Sequence, residues 1–259
     1  MKNKSLIISL SILAVIVLFV VLSSTIFCLK SVEINFVSNT IHLTQKEDEI
    51  IETTNFKYNQ SIFFVNKQKY KNEIEQNYPY IKIINIETIF PNKLIVNAVE
   101  RNELFTIKTY EENAFKNYLV LDDELKVLNT YQSFTNSHLN PILINIEGEF
   151  TQTNSVGSFL TSGNNDLIKN LAVELYAYNN NPLLLKANFE EINLNYGSTG
   201  DVRILMRSGV EIKLKDATTR LSEKFMLALS YYNELTDKTT GTITTYVNNE
   251  DKVVGYYVS

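Results

Sequence analysis

Hydrophobic residues form one long block at the start of the chain and fall into short periodic patterns after it. Lys2 and Lys4 precede an apolar run over residues 6–29 that contains no charged residue and that only serine and threonine interrupt. A bilayer core about 30 Å thick needs about 20 helical residues, so the run predicts a transmembrane helix over residues 5–29. The basic residues in front of it predict a cytoplasmic tail of residues 1–4 and an extracytoplasmic remainder.

A cleaved signal peptide is the alternative interpretation of this segment. Against it, the apolar run exceeds the roughly 7–15 residues of a typical h-region and no A-x-A-like site follows it, although Ser23, Ser24 and Thr25 are small. A lipoprotein signal needs a small residue before its cysteine, whereas Phe27 precedes Cys28. We therefore expect an uncleaved anchor, with Cys28 as a thiol at the membrane face.

The chain beyond the apolar run begins with one strand pattern and two helix patterns. Residues 32–36 alternate apolar and polar side chains, which is the period of a half-buried strand. Residues 44–47 read T-Q-K-E, a capping-box pattern that predicts the start of a short helix. A second helix is predicted from Asn66. Its apolar residues recur every four positions and share one face: Tyr70, Ile74 and Tyr78.

Two further strands complete this part of the chain. Apolar residues alternate with polar ones before and after a turn at Pro91 and Asn92, with Ile84, Ile86 and Phe90 on one side and Leu94, Val96 and Ala98 on the other. The order of elements is then strand, helix, helix, strand, strand. It predicts a small α+β module over residues 31–101.

The pattern after Arg101 is richer in strands. Short apolar segments predict strands at 118–121, 125–128, 192–196, 202–206, 210–214, 242–247 and 253–258. Apolar stripes predict two helices, one with Leu167, Leu171, Leu175 and Tyr178 and the other with Leu221, Phe225, Ala228, Tyr232 and Leu235. The predicted fold class is therefore α+β, with a single N-terminal transmembrane helix, a βααββ module, and a mostly antiparallel β domain with two helices over residues 102–259.

Composition and charge narrow the function classes. Hydrophobic residues make up 44% of the chain and charged residues 20%, which excludes a wholly disordered protein. The formal net charge of −5 gives no reason to expect a nucleic-acid partner. The single cysteine excludes a disulfide framework and a multi-cysteine zinc site. His42 and His138 lie far apart in the sequence, so no histidine metal centre is expected.

The sequence contains none of the common catalytic motifs. It lacks G-x-S-x-G, Walker, G-x-G-x-x-G and H-E-x-x-H patterns, and no serine is followed three residues later by lysine. The acidic segments at 122–124 and 248–251 are predicted to be solvated turns rather than paired acids or cation ligands, because the spacing and glycine of a calcium loop are missing. We therefore expect no catalytic residue, no metal and no cofactor.

Several segments, taken in order, resemble a known family. Residues 78–82 read Y-P-Y-I-K, residues 89–96 read I-F-P-N-K-L-I-V, and residues 99–101 read V-E-R. They resemble the end of the polypeptide-transport-associated (POTRA) domain in the FtsQ/DivIB family of bacterial cell-division proteins, and S-I-F-F-V at 61–65 resembles the middle of that domain. Further segments resemble the family's β domain: 118–122, 140–142, 208–214 and 223–224. The order and spacing of these segments carry the resemblance, which covers nearly the whole chain.

The chain departs from the family pattern at three places. Glu124 and Leu125 stand in the acidic turn where a glycine is common, and Lys215 stands where a glycine usually ends the long strand. Residues 243–246 read I-T-T-Y in place of isoleucine-aspartate-leucine-arginine. This last difference lies in the region that the family uses for binding.

The resemblance implies a non-enzymatic scaffold of the division machinery at the septum. Such proteins bind DivIC/FtsB-type and FtsL-type bitopic partners outside the cytoplasm, and the peptidoglycan synthesis machinery is a further candidate partner. A sheet edge offers unpaired N–H and C=O groups to which a partner segment can add a strand. The family places partner capture at the end of the β domain, which here predicts Thr244, Tyr246, Val254 and Tyr256 as binding residues.

Two other functions stay open at this point. A membrane-anchored extracytoplasmic enzyme or cell-wall-binding receptor would use a cleft in the β domain. A translocation component would use the POTRA module, but such proteins usually carry several modules, for which a chain of this length has no room. Capture of division proteins, rather than of wall fragments or a substrate, would separate the scaffold from the enzyme or receptor.

Overall fold

The computed structural model describes residues 2–37, 47–112, 114–133, 141–146, 155–160, 165–194 and 200–259. The chain divides into two compact units, Met1–Arg101 and Asn102–Ser259. Each unit has its own hydrophobic core and its own sheet.

Helix α1 (Lys2–Thr25) occupies most of the apolar run. Its large hydrophobic side chains are exposed along the whole stretch from residue 8 to residue 21. In the part of the chain that the structure describes, no helix satisfies the combined length and apolarity required to cross a bilayer.

The helix ends at Thr25 and not at the predicted Leu29, because residues 27–29 pack on the core of the first unit and pair with its backbone. Leu29 is fully buried, and its backbone exchanges hydrogen bonds of 2.9 Å with Gln60 and Asn59. Cys28 is also buried, and its thiol donates to the carbonyl of Thr25. The thiol is therefore enclosed by the protein and not exposed.

The rest of the first unit has the predicted order of strand, helix, helix, strand, strand. It consists of β1 (Ser31–Phe36), α2 (Glu47–Thr53), α3 (Lys67–Asn77), β2 (Ile81–Ile89) and β3 (Lys93–Glu100). A 3₁₀ turn at Ile62–Phe64 precedes α3. The strands form a sheet in the order β1-β3-β2, in which β1 runs parallel to β3 and β2 runs antiparallel to it. Residues 44–46 of the predicted capping box lie outside the described residues.

Helix α3 follows its sequence pattern closely. The side chain of Asn66 caps it by accepting a hydrogen bond of 3.0 Å from the amide of Lys69. Tyr70 and Ile74 are buried on the predicted face. Glu75 on the next position is also buried, and it forms an ion pair of 3.2 Å with Arg101, the last residue of the unit.

Strand β2 departs from the predicted alternation. Its register shifts between Ile83 and Asn85, which marks a β-bulge. The extra residue turns Ile84 outward, to 52% exposure, whereas Ile81, Ile83 and Ile86 are buried. Phe90, expected on the same face as Ile86, is exposed as well.

The described residues of the second unit form a nine-stranded sheet in the order β12-β11-β10-β9-β8-β7-β4-β5-β6. The strands are β4 (Phe105–Glu111), β5 (Ala114–Leu121), β6 (Val127–Tyr131), β7 (Ile142–Ile146), β8 (Phe189–Leu194), β9 (Val202–Met206), β10 (Glu211–Leu214), β11 (Thr242–Val247) and β12 (Val253–Val258). Three neighbouring pairs are parallel and the other pairs are antiparallel. A mixed sheet with an antiparallel majority results.

The second unit has one more helix than the sequence predicted. Helices α4 (Asn165–Tyr178) and α6 (Leu221–Glu234) match the two predicted stripes. Helix α5 (Pro182–Asn188) was missed, because a helix of seven residues is too short to show a periodic pattern. Its start nevertheless carries recognisable signals, since Asn181 caps it and Pro182 occupies its first position.

A row of buried isoleucines runs across the sheet and forms the core of the second unit. Residues paired in register from β4 to β11 are Ile107, Ile144, Ile192, Ile204, Ile212 and Ile243. All are at most 1% exposed, and Phe225 and Ala228 of α6 belong to the same core. This row defines the face of the sheet that the helices cover.

Candidate functional site

Strand β12 lies at one end of the nine-stranded sheet, and β6 lies at the other end. The two edges differ in how they are covered. At the start of β6, Val127 exchanges backbone hydrogen bonds of 2.8 Å with Gly157 and Ser158, so a loop segment occupies that edge. Strand β12 is therefore the better candidate for a free sheet edge.

The direction of each backbone group on β12 follows from the pairing of its neighbours. The amide of Lys215 donates to the carbonyl of Thr245 at 2.9 Å, so the backbone of Thr245 points towards β10. Backbone direction alternates along a strand, so Thr244 and Tyr246 point towards β12. Their register partners are Tyr256 and Val254.

The outward-pointing residues of β12 are consequently Val253, Gly255 and Tyr257. A hydrogen bond of 3.2 Å from the hydroxyl of Tyr231 to the carbonyl of Gly255 agrees with this direction. The amides and carbonyls of these three residues form a row along the outer side of the strand. A partner segment in an extended conformation can pair with such a row.

The four residues predicted from the family resemblance lie together on one face of this edge. Thr244 is opposite Tyr256 and Tyr246 is opposite Val254. The rings of Tyr246 and Tyr256 are 6.3 Å apart and nearly perpendicular. Tyr256 is 50% exposed and Tyr246 is 37% exposed, whereas Thr244 is buried. The exposed patch is completed by Val258, the last residue of β12.

This face is opposite the one that the isoleucine row occupies. Its residues in register with Thr244 and Tyr256 are polar: Asn145, Asn193, Arg203 and Lys213. The tyrosine patch thus lies at the end of a polar face, beside the strand that ends the sheet of the described residues. A partner strand paired with β12 would place alternate side chains next to it.

The other face of the edge packs on helix α6. The hydroxyl of Tyr257 donates to the carbonyl of Thr240 at 3.1 Å. Gly241 has φ +103°, and a Cβ atom there would collide with the ring of Tyr257. A Cβ at Gly255 would meet the ring of Tyr231 at 3.0 Å. Both glycines therefore let aromatic rings approach the backbone of the hairpin closely.

An arginine next to α6 holds the turn between β11 and β12. Arg220 donates to the carbonyl of Asp251 at 2.5 Å, and it makes two hydrogen bonds to the carboxylate of Glu223. The hydrogen bond from Arg220 lowers the pKa of Glu223. The guanidinium group therefore connects the first turn of α6 to the hairpin of the edge strand.

A buried lysine shapes the loop that carries this arginine. Lys224 is fully buried, and its ammonium group donates to the carbonyls of Asp216 and Thr219 at 2.6 and 2.7 Å. Burial lowers the pKa of Lys224, and the charge of Asp216 opposes that shift. These two hydrogen bonds give the buried ammonium group backbone partners and tie it to the loop before α6.

The chemistry of the edge is that of a binding surface. Among the described residues, no group of three or more histidine, cysteine, aspartate or glutamate side chains could hold a metal ion; His42 and His138 lie outside them. The arrangement offers a row of backbone groups, two exposed tyrosine rings and a fixed hairpin turn. These features suit pairing with a polypeptide segment.

Sequence reasoning missed the residues that position this edge. Arg220 and Tyr231 contact the hairpin across 31 and 24 positions of the chain, and Lys224 contacts the loop before α6. The segment G-V-E-I-K-L and the following Glu223 and Lys224 resemble the family pattern. A single sequence nevertheless carries no signature of side-chain contacts between residues far apart in the chain.

Comparison with known proteins adds independent information. A model of the FtsQ-type POTRA domain matches residues 30–101. The cell division protein DivIB of Clostridium acetobutylicum is 30% identical over 113 residues, which are 44% of this chain and 41% of that protein. The cell division protein DivIB of Clostridium tetani is 26% identical over 151 residues, which are 57% of this chain and 53% of that protein. The matched part of the chain thus spans about half the length of these relatives, or less.

Proposed function

Because the chain belongs to the FtsQ/DivIB family, we propose that it acts in cell division as a non-enzymatic scaffold. It binds DivIC/FtsB-type and FtsL-type partners at the septum through the edge of its second unit, and the peptidoglycan synthesis machinery is a further candidate partner. The observation that carries this proposal is the edge strand β12. Its outward backbone groups lie beside the exposed rings of Tyr246 and Tyr256.

The proposed binding mode is strand addition. A partner segment pairs with the amides and carbonyls of Val253, Gly255 and Tyr257 and covers the tyrosine patch with its own alternate side chains. Tyrosine suits this role because it supplies a large contact area at a small cost in side-chain entropy. Thr244, Tyr246, Val254 and Tyr256 are the proposed binding residues, with Thr244 supporting the rings from a buried position.

We also propose that the chain is anchored in the cell membrane by its N-terminal apolar segment, with residues 1–4 in the cytoplasm and the chain beyond Lys30 outside it. The basis is the length of the uncharged run and the two lysines in front of it. The side chains that α1 exposes between residues 8 and 21 are consistent with an apolar environment. An extracytoplasmic position allows the edge to meet partners that are themselves bitopic.

Proline scanning along β12 tests the edge. Val253→Pro removes an outward amide and leaves the ladder to β11 intact, whereas Val254→Pro removes an amide that points into that ladder. We expect Val253→Pro to keep the circular dichroism spectrum of the wild type and to weaken capture of a DivIC/FtsB-type partner by about tenfold or more. Val254→Pro should loosen the hairpin itself, as faster amide exchange in β11 would reveal.

A side-chain substitution tests the tyrosine patch. We expect Tyr256→Ala to cost about 2 kcal/mol of binding free energy, or about thirtyfold in affinity, if the ring is an anchor. Tyr131→Ala is the matched control, since Tyr131 is an exposed tyrosine on the opposite edge strand. Unchanged partner capture by a folded Val253→Pro/Tyr256→Ala double variant would contradict the proposed interface. Absence of division proteins from the wild-type capture would contradict the scaffold function.

A further inference from the structure

Three phenylalanine rings pack on one another at one end of the first unit: Phe27, which is half-buried, Phe63 and Phe90. Phe64 follows Phe63 in the chain, and we call these four residues the aromatic base. The ring of Phe63 lies 5.4 Å from that of Phe27 and 5.5 Å from that of Phe90. Phe63 is 45% exposed, Phe90 57% and Phe64 77%. Rings packed on one another and still open to the outside form an apolar surface rather than a core.

Three separate segments of the chain converge to build the aromatic base. The amide of Ile62 donates to the carbonyl of Phe27 at 2.8 Å, which joins the 3₁₀ turn to the segment after α1. The amide of Lys30 donates to the carbonyl of Asn92 at 2.8 Å, which joins the same segment to the turn between β2 and β3. The positions of the rings are therefore fixed by backbone hydrogen bonds.

The aromatic base is continuous with the apolar surface of α1. Phe19 on this helix contacts Phe63, with 6.0 Å between the ring centroids, and Phe19 is itself 55% exposed. Ile26 and Ile89 extend the surface and are both more than 40% exposed. A helix with exposed apolar side chains all round requires an apolar environment, and the same environment reaches the aromatic base through Phe19.

We propose that the aromatic base inserts into the interface of a lipid bilayer and seats the first unit on the membrane. This inference rests on the membrane anchor proposed above and adds a second contact with the lipid. Phenylalanine side chains enter the boundary between headgroups and acyl chains to a depth of ~5–10 Å. Lys30, which is exposed beside Asn92, is positioned to meet anionic headgroups at the same level.

The sheet of the first unit indicates which residues should face away from the membrane. Strand β3 begins at Lys93, next to the turn that carries Phe90, and its other end pairs with the far end of β1. Val37 lies beyond that far end and donates its amide to the carbonyl of Ala98. Strand rise places it about 20 Å from the start of β1. Val37 is 62% exposed and should remain in water when the aromatic base is in lipid.

The chain contains no tryptophan, so single tryptophans report their surroundings without background. We would reconstitute the full-length chain in vesicles of phosphatidylcholine and phosphatidylglycerol and compare Phe64→Trp with Val37→Trp. Both positions are exposed, so neither substitution alters the core. Phe90→Trp is a second probe of the aromatic base, and Leu13→Trp reports on α1. Circular dichroism confirms that each variant is folded.

The proposal predicts a blue-shifted emission for Phe64→Trp and Phe90→Trp, and loss of most of that emission when the lipids carry brominated acyl chains. Val37→Trp should keep a water-exposed spectrum and resist quenching. If bromolipids quench Phe64→Trp and Phe90→Trp no more than they quench Val37→Trp, the aromatic base does not insert into the bilayer and the proposal is wrong. A change that requires an added partner protein and not lipid would overturn it as well. Leu13→Trp reads the anchor separately, because its quenching does not depend on the aromatic base.

Discussion

The carboxylate of Asp122 organises the turn between β5 and β6 from a buried position. One of its oxygens accepts hydrogen bonds from the amides of Glu124 and Lys126, at 3.0 and 2.7 Å. Leu125 between them has φ +62°, and the carboxylate holds the chain in this conformation. Asp122 is fully buried, so the expectation of a solvated acidic turn was wrong for this residue. A short side chain that binds its own backbone replaces the glycine that the turn lacks.

Replacing Asp122 should destabilise the second unit. Asp122→Ala leaves two amides without an acceptor, which we expect to cost about 2–3 kcal/mol. Amide hydrogen exchange of peptides from β5 and β6 measures this loss as faster exchange. Asp123→Ala removes the same atoms one position later and should change stability by less than about 0.5 kcal/mol. Equal effects of the two variants would contradict the role of the Asp122 carboxylate.

At the scale of elements, the hairpin of β11 and β12 depends on helix α6 for its position. Tyr231 in the last turn of α6 reaches the carbonyl of Gly255, and Arg220 before its first turn reaches the carbonyl of Asp251. Lys224 fixes the loop in front of the helix through two carbonyls. Because an edge strand has a neighbour on one side only, these contacts replace part of the support that a second neighbouring strand would give.

Removing the arginine should loosen the hairpin without unfolding the unit. We expect Arg220→Gln to speed amide exchange at residues 248–252 by about tenfold, since the bond to Asp251 is lost. Arg203→Gln is the matched control: Arg203 also pairs with a glutamate, Glu211, but on strands away from the hairpin turn. If amide exchange at residues 248–252 rises equally in both variants, the hydrogen bond from Arg220 to Asp251 does not specifically hold the hairpin turn.

The stabilisation of the hairpin turn by Arg220 should weaken at acidic pH. The hydrogen bond from Arg220 holds the pKa of Glu223 below its ordinary value. A carboxylate with a lowered pKa in the folded state stabilises that state above its ordinary pKa of about 4.3, and this stabilisation is lost as pH falls through the lowered value. The difference in hairpin exchange between the wild type and Arg220→Gln should therefore shrink with acidification through that range. A difference that persists below it would contradict the role of the ionised Glu223.

At the scale of the whole molecule, the chain consists of two units with separate cores, the first of which begins with an apolar helix. The first unit ends at the buried pair of Glu75 and Arg101, and the second begins at the next residue. Arg101 also receives support from the carbonyl of Tyr80, to which its amide donates at 2.7 Å. The end of the first unit is therefore fixed by its own contacts.

The proposed topology predicts the outcome of proteolysis on intact cells. After removal or permeabilisation of the wall, an added protease should digest nearly all of the chain beyond Lys30, because the proposal places this part of the chain outside the membrane. A cytoplasmic protein of the same cells, protected by the membrane, is the control. Sequencing of the mature N-terminus completes the test: a chain that begins after Ser24 or Thr25 would show that the segment is cleaved and would contradict the anchor.

The sequence by itself determined most of the elements. The helix stripes around Tyr70 and Phe225 and the strand bounds at 242–247 and 253–258 agree with the structure. These patterns are readable because burial on one face repeats every 3.6 residues in a helix and every 2 in a strand, so the signal is local. The family resemblance likewise used short ordered segments and was confirmed by the comparisons.

Only the tertiary structure decided which backbone groups and side chains of these elements are exposed for binding. Pairing of β11 with β10 sets the backbone direction along β12, so Val253 and not Val254 presents its amide to a partner. The bulge at Ile83 turns Ile84 outward, and the convergence of three segments exposes the rings of the aromatic base. Each of these outcomes depends on contacts between residues far apart in the chain. Local periodicity carries no information about such contacts, because it reports which face is buried and not what lies against it.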